Sequence, residues 1–266
     1  MISAIVLTHN DEATIAKTLG SLPWCDEILI IDDGSTDNTL SKAEKFTTNI
    51  FNHPLSDDFS QQRNFGLSKA KHEWVLFVDS DEVVTDVLAK EIQEIVTPAT
   101  LRNDRTVGYF IKRRDIMWGR EFKHGEQGRM KLLRLAKKDA GKWIRPVHEA
   151  WSPYVKPACL QGRAAGDKNI IGELAEPLLH SPHPNVAQYL EEINRYSTLN
   201  ARYLFEQKIR VQWWQIVGYP LAKFFVNYII RLGFLDGTAG AVVAIMMSFH
   251  SFLTRAKLWV YWHNYG

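Results

Sequence analysis

Along the first hundred residues, short aliphatic and β-branched runs alternate with polar stretches whose apolar positions recur at helical spacing. Ala4 to Leu7 precedes Glu12 to Leu22, Glu27 to Ile31 precedes Thr36 to Phe46, and Trp74 to Val78 precedes Val87 to Val96. Alternation of strand and helix in this way predicts βαβ units and a parallel sheet. Each predicted strand runs into a polar cluster: Thr8-His9-Asn10, Asp32-Asp33-Gly34-Ser35 and Asp79-Ser80-Asp81-Glu82. Open α/β sheets bind ligands just beyond the carboxyl ends of their strands, so the three clusters are expected to meet at one crevice.

Beyond residue 97 the pattern loosens. Strand-like pieces at Gly108 to Lys112 and Met130 to Leu135 lie between loops rich in Gly, Pro, Trp and charge. A helix is predicted from Asn185, its N-cap, with Glu191 and Glu192 early and Leu190, Ile193, Leu199 and Leu204 among its apolar positions. The chain is apolar, aromatic and basic from Val211 onward. These features divide it into an α/β domain over residues 1–184, which carries the strand-end clusters and is the expected catalytic domain, and a helical C-terminal region over residues 185–266.

Gly237 to Thr254 carries no Asp, Glu, Lys or Arg for 18 residues, which only just reaches the length of a membrane-spanning helix. Gly240, Ser248 and His250 weaken that reading. Val211 to Ile230 is interrupted by Lys223 and Asn227, and its Trp213, Trp214 and Tyr219 are types favoured at a membrane interface. Helices lying in the interface account for this mixture better than two spans. The alternative is an aromatic helical subdomain that packs on the catalytic domain or on a twin subunit, which leaves a homo-oligomer open.

Charge sharpens the distinction between the two regions. From Ala201 onward seven Lys or Arg face only Glu206 and Asp236, so this part carries +5 and the rest −3, within a net charge of +2. Basic residues mixed with aromatics suit an anionic surface. Nucleic acid is disfavoured as a partner, because the overall charge is nearly balanced and no helix-turn-helix, RNP or zinc pattern occurs. Two cysteines, Cys25 and Cys159, offer neither a disulfide framework nor metal-type spacing and fit a reducing compartment. The opening MISAIVLTHNDE lacks the basic, apolar and cleavage segments of a signal peptide and reads as a buried first strand. With 266 residues and 45% hydrophobic content, the chain can bury a full core.

The acids at the strand ends carry the chemistry. Asp79 and Asp81 emerge from an apolar run and require a cation, a hydrogen-bonding network or water, because bare charge is not buried cheaply. Mg²⁺ or Mn²⁺ bridging carboxylate and diphosphate is one reading; capping of the following helix is the other. Asp32 or Asp33 is placed to accept hydrogen bonds from a base or a ribose, while Ser35, Thr36 and Asp37 suit a helix cap. Arg63 and Asn64 add a cation and an amide within reach of phosphate or base.

Taken in order, Val6-Leu7-Thr8-His9-Asn10-Asp11-Glu12, Asp32-Asp33-Gly34-Ser35-Thr36-Asp37, Arg63-Asn64-x-Gly66 and Asp79-Ser80-Asp81-Glu82 resemble the motifs of family 2 glycosyltransferases. The resemblance implies an α/β nucleotide-diphospho-sugar transferase (GT-A type) fold with a mixed central sheet. It further implies inverting transfer, a metal held by Asp79 and Asp81, and donor contacts from Thr8, Asn10, Glu12, Asp33 and Arg63, to which Asp32, Asn64, Asp79 and Ser80 are added here.

Later segments resemble the subgroup that includes lipopolysaccharide core β-glucosyltransferases. They are Leu132-Leu133-Arg134-Leu135, Trp143, Pro146-Val147-His148-Glu149, His180, Tyr228 to Gly237 and Ala256-Lys257-Leu258-Trp259. The Glu-Asp pair that supplies the base in many family members is missing, and His148-Glu149 occupies the comparable place. Glu149 is therefore the candidate base, with His148 and Glu126 as alternatives. Arg63 or Arg134 is expected to support the departing diphosphate, and His180 is a candidate third metal ligand or a hydrogen-bonded loop histidine. The expected function is transfer of a hexose from a nucleotide-diphospho-sugar, UDP-glucose by resemblance, to a lipid-linked or lipopolysaccharide-type glycan. The expected location is the cytoplasmic face of a membrane. A nucleotidyltransferase and a non-catalytic sugar-nucleotide-binding module are the rival readings.

Overall fold

The computed structural model describes residues 1–97, 106–147, 149–154 and 170–265, and the chain divides into two compact units. The first comprises Met1–Arg113 and Lys131–His180, the second Arg114–Met130 and Ser181–Gly266.

In the first unit β1 (Ile2–Thr8), β2 (Glu27–Asp32), β3 (Ile50–Asn52) and β4 (Trp74–Asp79) pair in parallel in the order β3-β2-β1-β4. The remaining strands are β5 (Glu82–Val83), β6 (Thr106–Met117), β7 (Arg120–Glu121), β8 (Lys131–Lys137), β9 (Gly141–Ile144), β10 (Ala150–Pro153), β11 (Ile170–Glu173) and β12 (Leu178–His180). Strand β8 runs antiparallel to both β4 and β6, which makes the central sheet mixed. Local periodicity predicts only the parallel half, because β8 joins the sheet from far along the chain.

Both faces of the sheet are covered, as continuous burial along β1 requires. Alternate residues face opposite ways. Ile2, Ala4 and Val6, with Trp74, Leu76 and Val78, pack against Ile15 and Leu19 of α1 (Ile15–Gly20), Ala43 of α2 (Thr39–Ala43) and the second of two later helices. Those helices are α3 (Phe59–Lys69) and α4 (Asp86–Ile95), and α4 contributes Leu88 and Ile92 to the same layer. On the other face Ile5, Leu7, Val75 and Phe77 meet Leu67 of α3 and the rings of Trp143 and Trp151. Helix α3 escapes the apolar pattern because its buried face is largely polar: Ser60, Gln62, Arg63 and Gly66 accompany Leu67. It lies close to the sheet at Gly66, where a Cβ would stand 2.7 Å from Ile5 Cγ2 and 3.0 Å from Ile31 Cγ1.

The second unit is built on α5 (Val186–Glu206), α6 (Trp213–Phe225) and α7 (Gly237–Tyr265), with a π-helical turn over Val226–Ile230 after α6. Asn185 caps α5 as expected, accepting from Gln188 N at 2.9 Å. Tyr189, Ile193, Val243 and Met246 form the core with Met117 and Phe122. Segment 114–130 therefore packs as part of the helical unit. Asp236 pins it there, accepting from His124 N at 2.9 Å and His124 Nδ1 at 2.8 Å. Gly233–Tyr265 is long and apolar enough to cross a membrane, a property shared by core helices of soluble proteins.

Candidate active site

Strand register brings the polar clusters level. Thr8 of β1 lies opposite Asp32 of β2, and Leu7 opposite Asp79 of β4. The loops after β1 and β2 are then laced together. Thr36 N donates to Asn10 Oδ1 at 2.8 Å, Asn10 N to Ser35 Oγ at 2.9 Å, and Asn38 Nδ2 to Glu12 Oε2 at 2.9 Å. Asn10 takes a left-handed conformation (φ 56°), which Asn tolerates better than most residues.

Asp11 ties the β1 loop to the β4 loop. Its Oδ2 accepts from Thr8 Oγ1 at 2.8 Å, His9 N at 2.9 Å and Ser80 Oγ at 2.5 Å. Burial raises the Asp11 carboxyl above its ordinary range despite these bonds, and the nearby Asp81 charge pushes the same way. Sequence reasoning quotes Asp11 only within its motif. The signal was an acid between two polar neighbours, which the long-range bond to Ser80 turns into a clasp.

The two acids after β2 divide. Asp32 is 1% exposed, and its oxygens accept from Gly34 N, Ser35 N and Ser35 Oγ at 2.9, 3.0 and 2.6 Å, shaping the turn. Asp33 keeps 20% of its side chain exposed, with Leu55 N donating to Oδ1 at 2.7 Å. Asn64, expected near donor, instead clamps β9: its Nδ2 donates to Trp143 O and its Oδ1 accepts from Trp143 N, both at 2.9 Å. An amide bonded at both ends to a strand backbone acts as a surrogate strand partner.

Beneath this rim lies a charged network. Arg63 of α3 and Arg134 of β8, each 3% exposed, both bind Asp79. Arg63 Nη2 reaches Asp79 Oδ1 at 2.7 Å and its Nε reaches Glu149 Oε1 at 2.8 Å, while the guanidinium lies 4.9 Å from the Trp143 ring centroid. Arg134 Nη2 also donates to Glu82 Oε1 at 2.8 Å. Burial opposes the Asp79 charge, but Arg134 and Arg63 outweigh it and hold the carboxyl well below its usual range. Burial opposes both arginine charges too, yet Asp79 raises each pKa, helped by Glu149 for Arg63 and by Glu82 for Arg134. Glu82, fully buried, is pushed up by burial against the pull of Arg134.

Asp81 stands apart from this network. Its Oδ2 lies 3.2 Å from His180 Nε2, a pairing set by the antiparallel register of His180 in β12 with Glu82 in β5. A carboxylate oxygen and an imidazole nitrogen together suit Mn²⁺ better than Mg²⁺, which prefers oxygen. Among the described residues no group of three or more His, Cys, Asp or Glu side chains is arranged for a metal. Asp79, expected on the metal, has both oxygens engaged by arginine. Asp81 and His180 would therefore supply two donors to a divalent cation. Glu126 belongs to the helical unit, where Lys223 and Asn227 bind it. His148 and Cys159 lie outside the described residues. Burial pushes the Cys25 thiol up to about 12, so this cysteine is a packing residue and not a nucleophile.

Comparison with known proteins adds to this geometry. The chain is 26% identical over 265 residues to the lipopolysaccharide core biosynthesis glycosyltransferase LpsC of Rhizobium meliloti, covering 97% of this chain and 92% of the relative. Solved structures resembling it include Staphylococcus aureus TarS 1-349 in complex with UDP-GlcNAc (TM-score 0.48, 15% identity, 99% of this chain and 91% of that one). Another is glucosyl-3-phosphoglycerate synthase from Mycobacterium tuberculosis with Mg²⁺ and uridine-diphosphate (TM-score 0.47, 16% identity, 80% and 81%). The model of glycosyl transferase family 2 matches residues 3–151, the stretch that carries the strand-end acids, Arg63, Arg134 and Glu149. The chain therefore belongs to glycosyl transferase family 2 and is an enzyme of GT-A type fold, not a nucleotidyltransferase or a binding module.

Proposed function

We propose that this glycosyltransferase moves a hexose from a uridine-diphosphate sugar, with inversion, to a lipid-linked or lipopolysaccharide-type glycan at the inner face of the cytoplasmic membrane. The observation that carries this reading is the bridge through Arg63, which joins Asp79 of the Asp-x-Asp segment at 2.7 Å to Glu149 at 2.8 Å. One buried guanidinium thus sets the position of the candidate base relative to the end of β4. The name of the Rhizobium relative supports the choice of acceptor.

In this reading Asp33, Thr8, Asn10 and Glu12 line the nucleoside side, with Asp32 and Asn64 holding the turn and strand that frame it. Ser80 and Asp11 lock the β4 loop. Arg63 and Arg134, neutralised by Asp79, Glu82 and Glu149, fix those carboxyl groups beneath the donor site. Asp81 and His180 would hold Mn²⁺ or Mg²⁺, which as a Lewis acid stabilises a departing diphosphate. Glu149 takes the acceptor hydroxyl proton as that oxygen bonds to the anomeric carbon. The bond from that carbon to the diphosphate breaks on the opposite face, and its electron pair leaves with UDP.

Glu149→Gln tests the assignment. The variant should bind UDP-sugar in the presence of Mn²⁺, seen as a raised unfolding temperature, because a ligand selective for the folded state must stabilise it. Transfer should fall by about 10²- to 10⁴-fold. Loss of donor binding together with transfer would show that Glu149 serves to hold Arg63 and that the base lies elsewhere.

A further inference from the structure

Within the helical unit, α6, the π turn and α7, with Asn200 of α5, line an open pocket of about 340 Å³, inside the range of roughly 300–1,000 Å³ typical of small-molecule sites. Its charged lining has one sign: Lys223, Arg231, Arg255 and the titratable His250, with no carboxylate among the lining residues. Glu126 meets Lys223 at 2.6 Å from outside the lining, so three cations against one acid leave two positive charges at the cavity.

Arg255 and Arg231 carry that excess. Arg255 Nη1 donates to Ser251 O at 3.1 Å and Ser251 Oγ at 2.8 Å, and its guanidinium lies 4.2 Å from the Tyr219 ring centroid. Arg231 Nη1 donates to Asn227 Oδ1 at 3.2 Å. Among the described residues neither forms an ion pair. Burial pushes the Arg255 guanidinium below its ordinary value, as expected of a cation removed from water without a counterion. Oriented guanidinium groups around a hollow favour an anion with several acceptor oxygens, which they bind by forked hydrogen bonds. Residues adjoining the lining are apolar and exposed: Leu221 and Phe225 on α6, Phe252 on α7.

We infer that this cavity binds a phosphoryl group, with Arg231 and Arg255 as its cationic clamp and the headgroup of a lipid as its source. The neighbouring apolar side chains would lie along the acyl region while the cations reach the phosphate. The inference rests on the membrane-surface reading above, and free phosphate and vesicles separate the two.

The test uses the full chain and the double variant Arg231→Gln/Arg255→Gln. Flotation is measured with phosphatidylglycerol–phosphatidylcholine vesicles and with phosphatidylcholine alone, and unfolding temperature with inorganic phosphate against chloride at matched ionic strength. Removing two cations should lower partitioning onto the anionic vesicles by about 30-fold, leave the phosphatidylcholine value unchanged and abolish any stabilisation by phosphate. Should the double variant fail to fold, Asn200→Asp, which places a carboxylate at the cavity with little change of shape, should weaken anionic partitioning in the same direction. Equal partitioning of wild type and variants onto anionic vesicles would overturn the site while leaving membrane association intact. If the wild type floats on neither vesicle, the membrane reading fails. Stabilisation by phosphate that the variants lose would then keep the site for a soluble phosphoryl ligand, and its absence would overturn the site as well.

Discussion

Asp79 and Asp81 stand two residues apart, and their surroundings give them opposite tasks. Asp79 neutralises two arginines that are each 3% exposed, so Asp79→Asn would leave Arg63 and Arg134 buried without their shared counter-charge. Breaking a buried pair from one side costs about 3–5 kcal/mol; with Asp79 itself 29% exposed and Glu149 and Glu82 still on the arginines, chemical denaturation should record a loss toward the lower end of that range. Asp81 is as exposed as Asp79, 28% against 29%, but is paired only with His180 among the described residues, so Asp81→Asn should change stability by under about 1 kcal/mol. That variant should instead lose Mn²⁺-supported transfer and Mn²⁺-dependent stabilisation by UDP. A large stability loss on Asp81→Asn, or none on Asp79→Asn, would reverse the two roles.

The same residue predicts a pH dependence. The folded-state pKa of Asp79 lies below its unfolded value of 3.8, so its contribution is fully present above that value and is lost as pH falls toward the folded pKa. The stability difference between wild type and Asp79→Asn should be constant above about pH 5 and shrink below about pH 4. Asp11 and Glu82 run the other way. Their folded values are raised, so each opposes folding as pH rises through its folded pKa and ceases to do so in acid. A thermal melt series from pH 6 to about pH 3 on Asp79→Asn and Asp11→Asn should therefore show slopes altered in opposite senses.

At the level of elements, α3 controls the site more than its composition suggests. It delivers Arg63 to the acids and Asn64 to β9 from one turn, and Gly66 sets how near the sheet that turn lies. In Gly66→Ala the new Cβ meets Ile5 and Ile31, fully buried β-branched side chains with little rotamer freedom. Overpacking costs about 1–3 kcal/mol, while alanine returns up to about 1 kcal/mol of helix propensity. The expected balance is a lowered unfolding temperature together with a reduced kcat/KM, as Arg63 moves with the helix. An unchanged kcat/KM in a folded Gly66→Ala protein would show that the placement of Arg63 is not limiting.

For the whole molecule, the open question is what the helical unit meets. Trp213 is 74% exposed, Trp214 51% and Leu221 65%, an apolar surface with local positive charge. If this surface lies on a bilayer, the full chain should float with anionic vesicles, more at low salt than at high salt, and retain a salt-insensitive part from apolar insertion. A full chain that stays soluble and dimeric without lipid and never floats would identify the surface as a subunit contact instead.

Much of this was legible before any coordinates. Strand-to-helix alternation located β1, β2 and β4, the polar residues that follow them marked strand ends that lie level in the sheet, and Asn185 marked the start of α5, because these signals are local in period and chemistry. Only the tertiary structure decided which polar side chains are engaged by the protein itself. Asp32 turns inward to its own loop, Asn64 binds a strand 79 residues away, and Asp79 is shared by Arg63 and an Arg134 that lies 55 residues along the chain. Helix α3 was hidden because its inward face is polar, and the clustering of segment 114–130 with the later helices was not legible because its partners, Tyr189 and Ile193 of α5 and Asp236, lie far along the chain. Local periodicity reports which residues leave water. Which charge neutralises which depends on strand register and on contacts that close long loops, and no short window of sequence contains them.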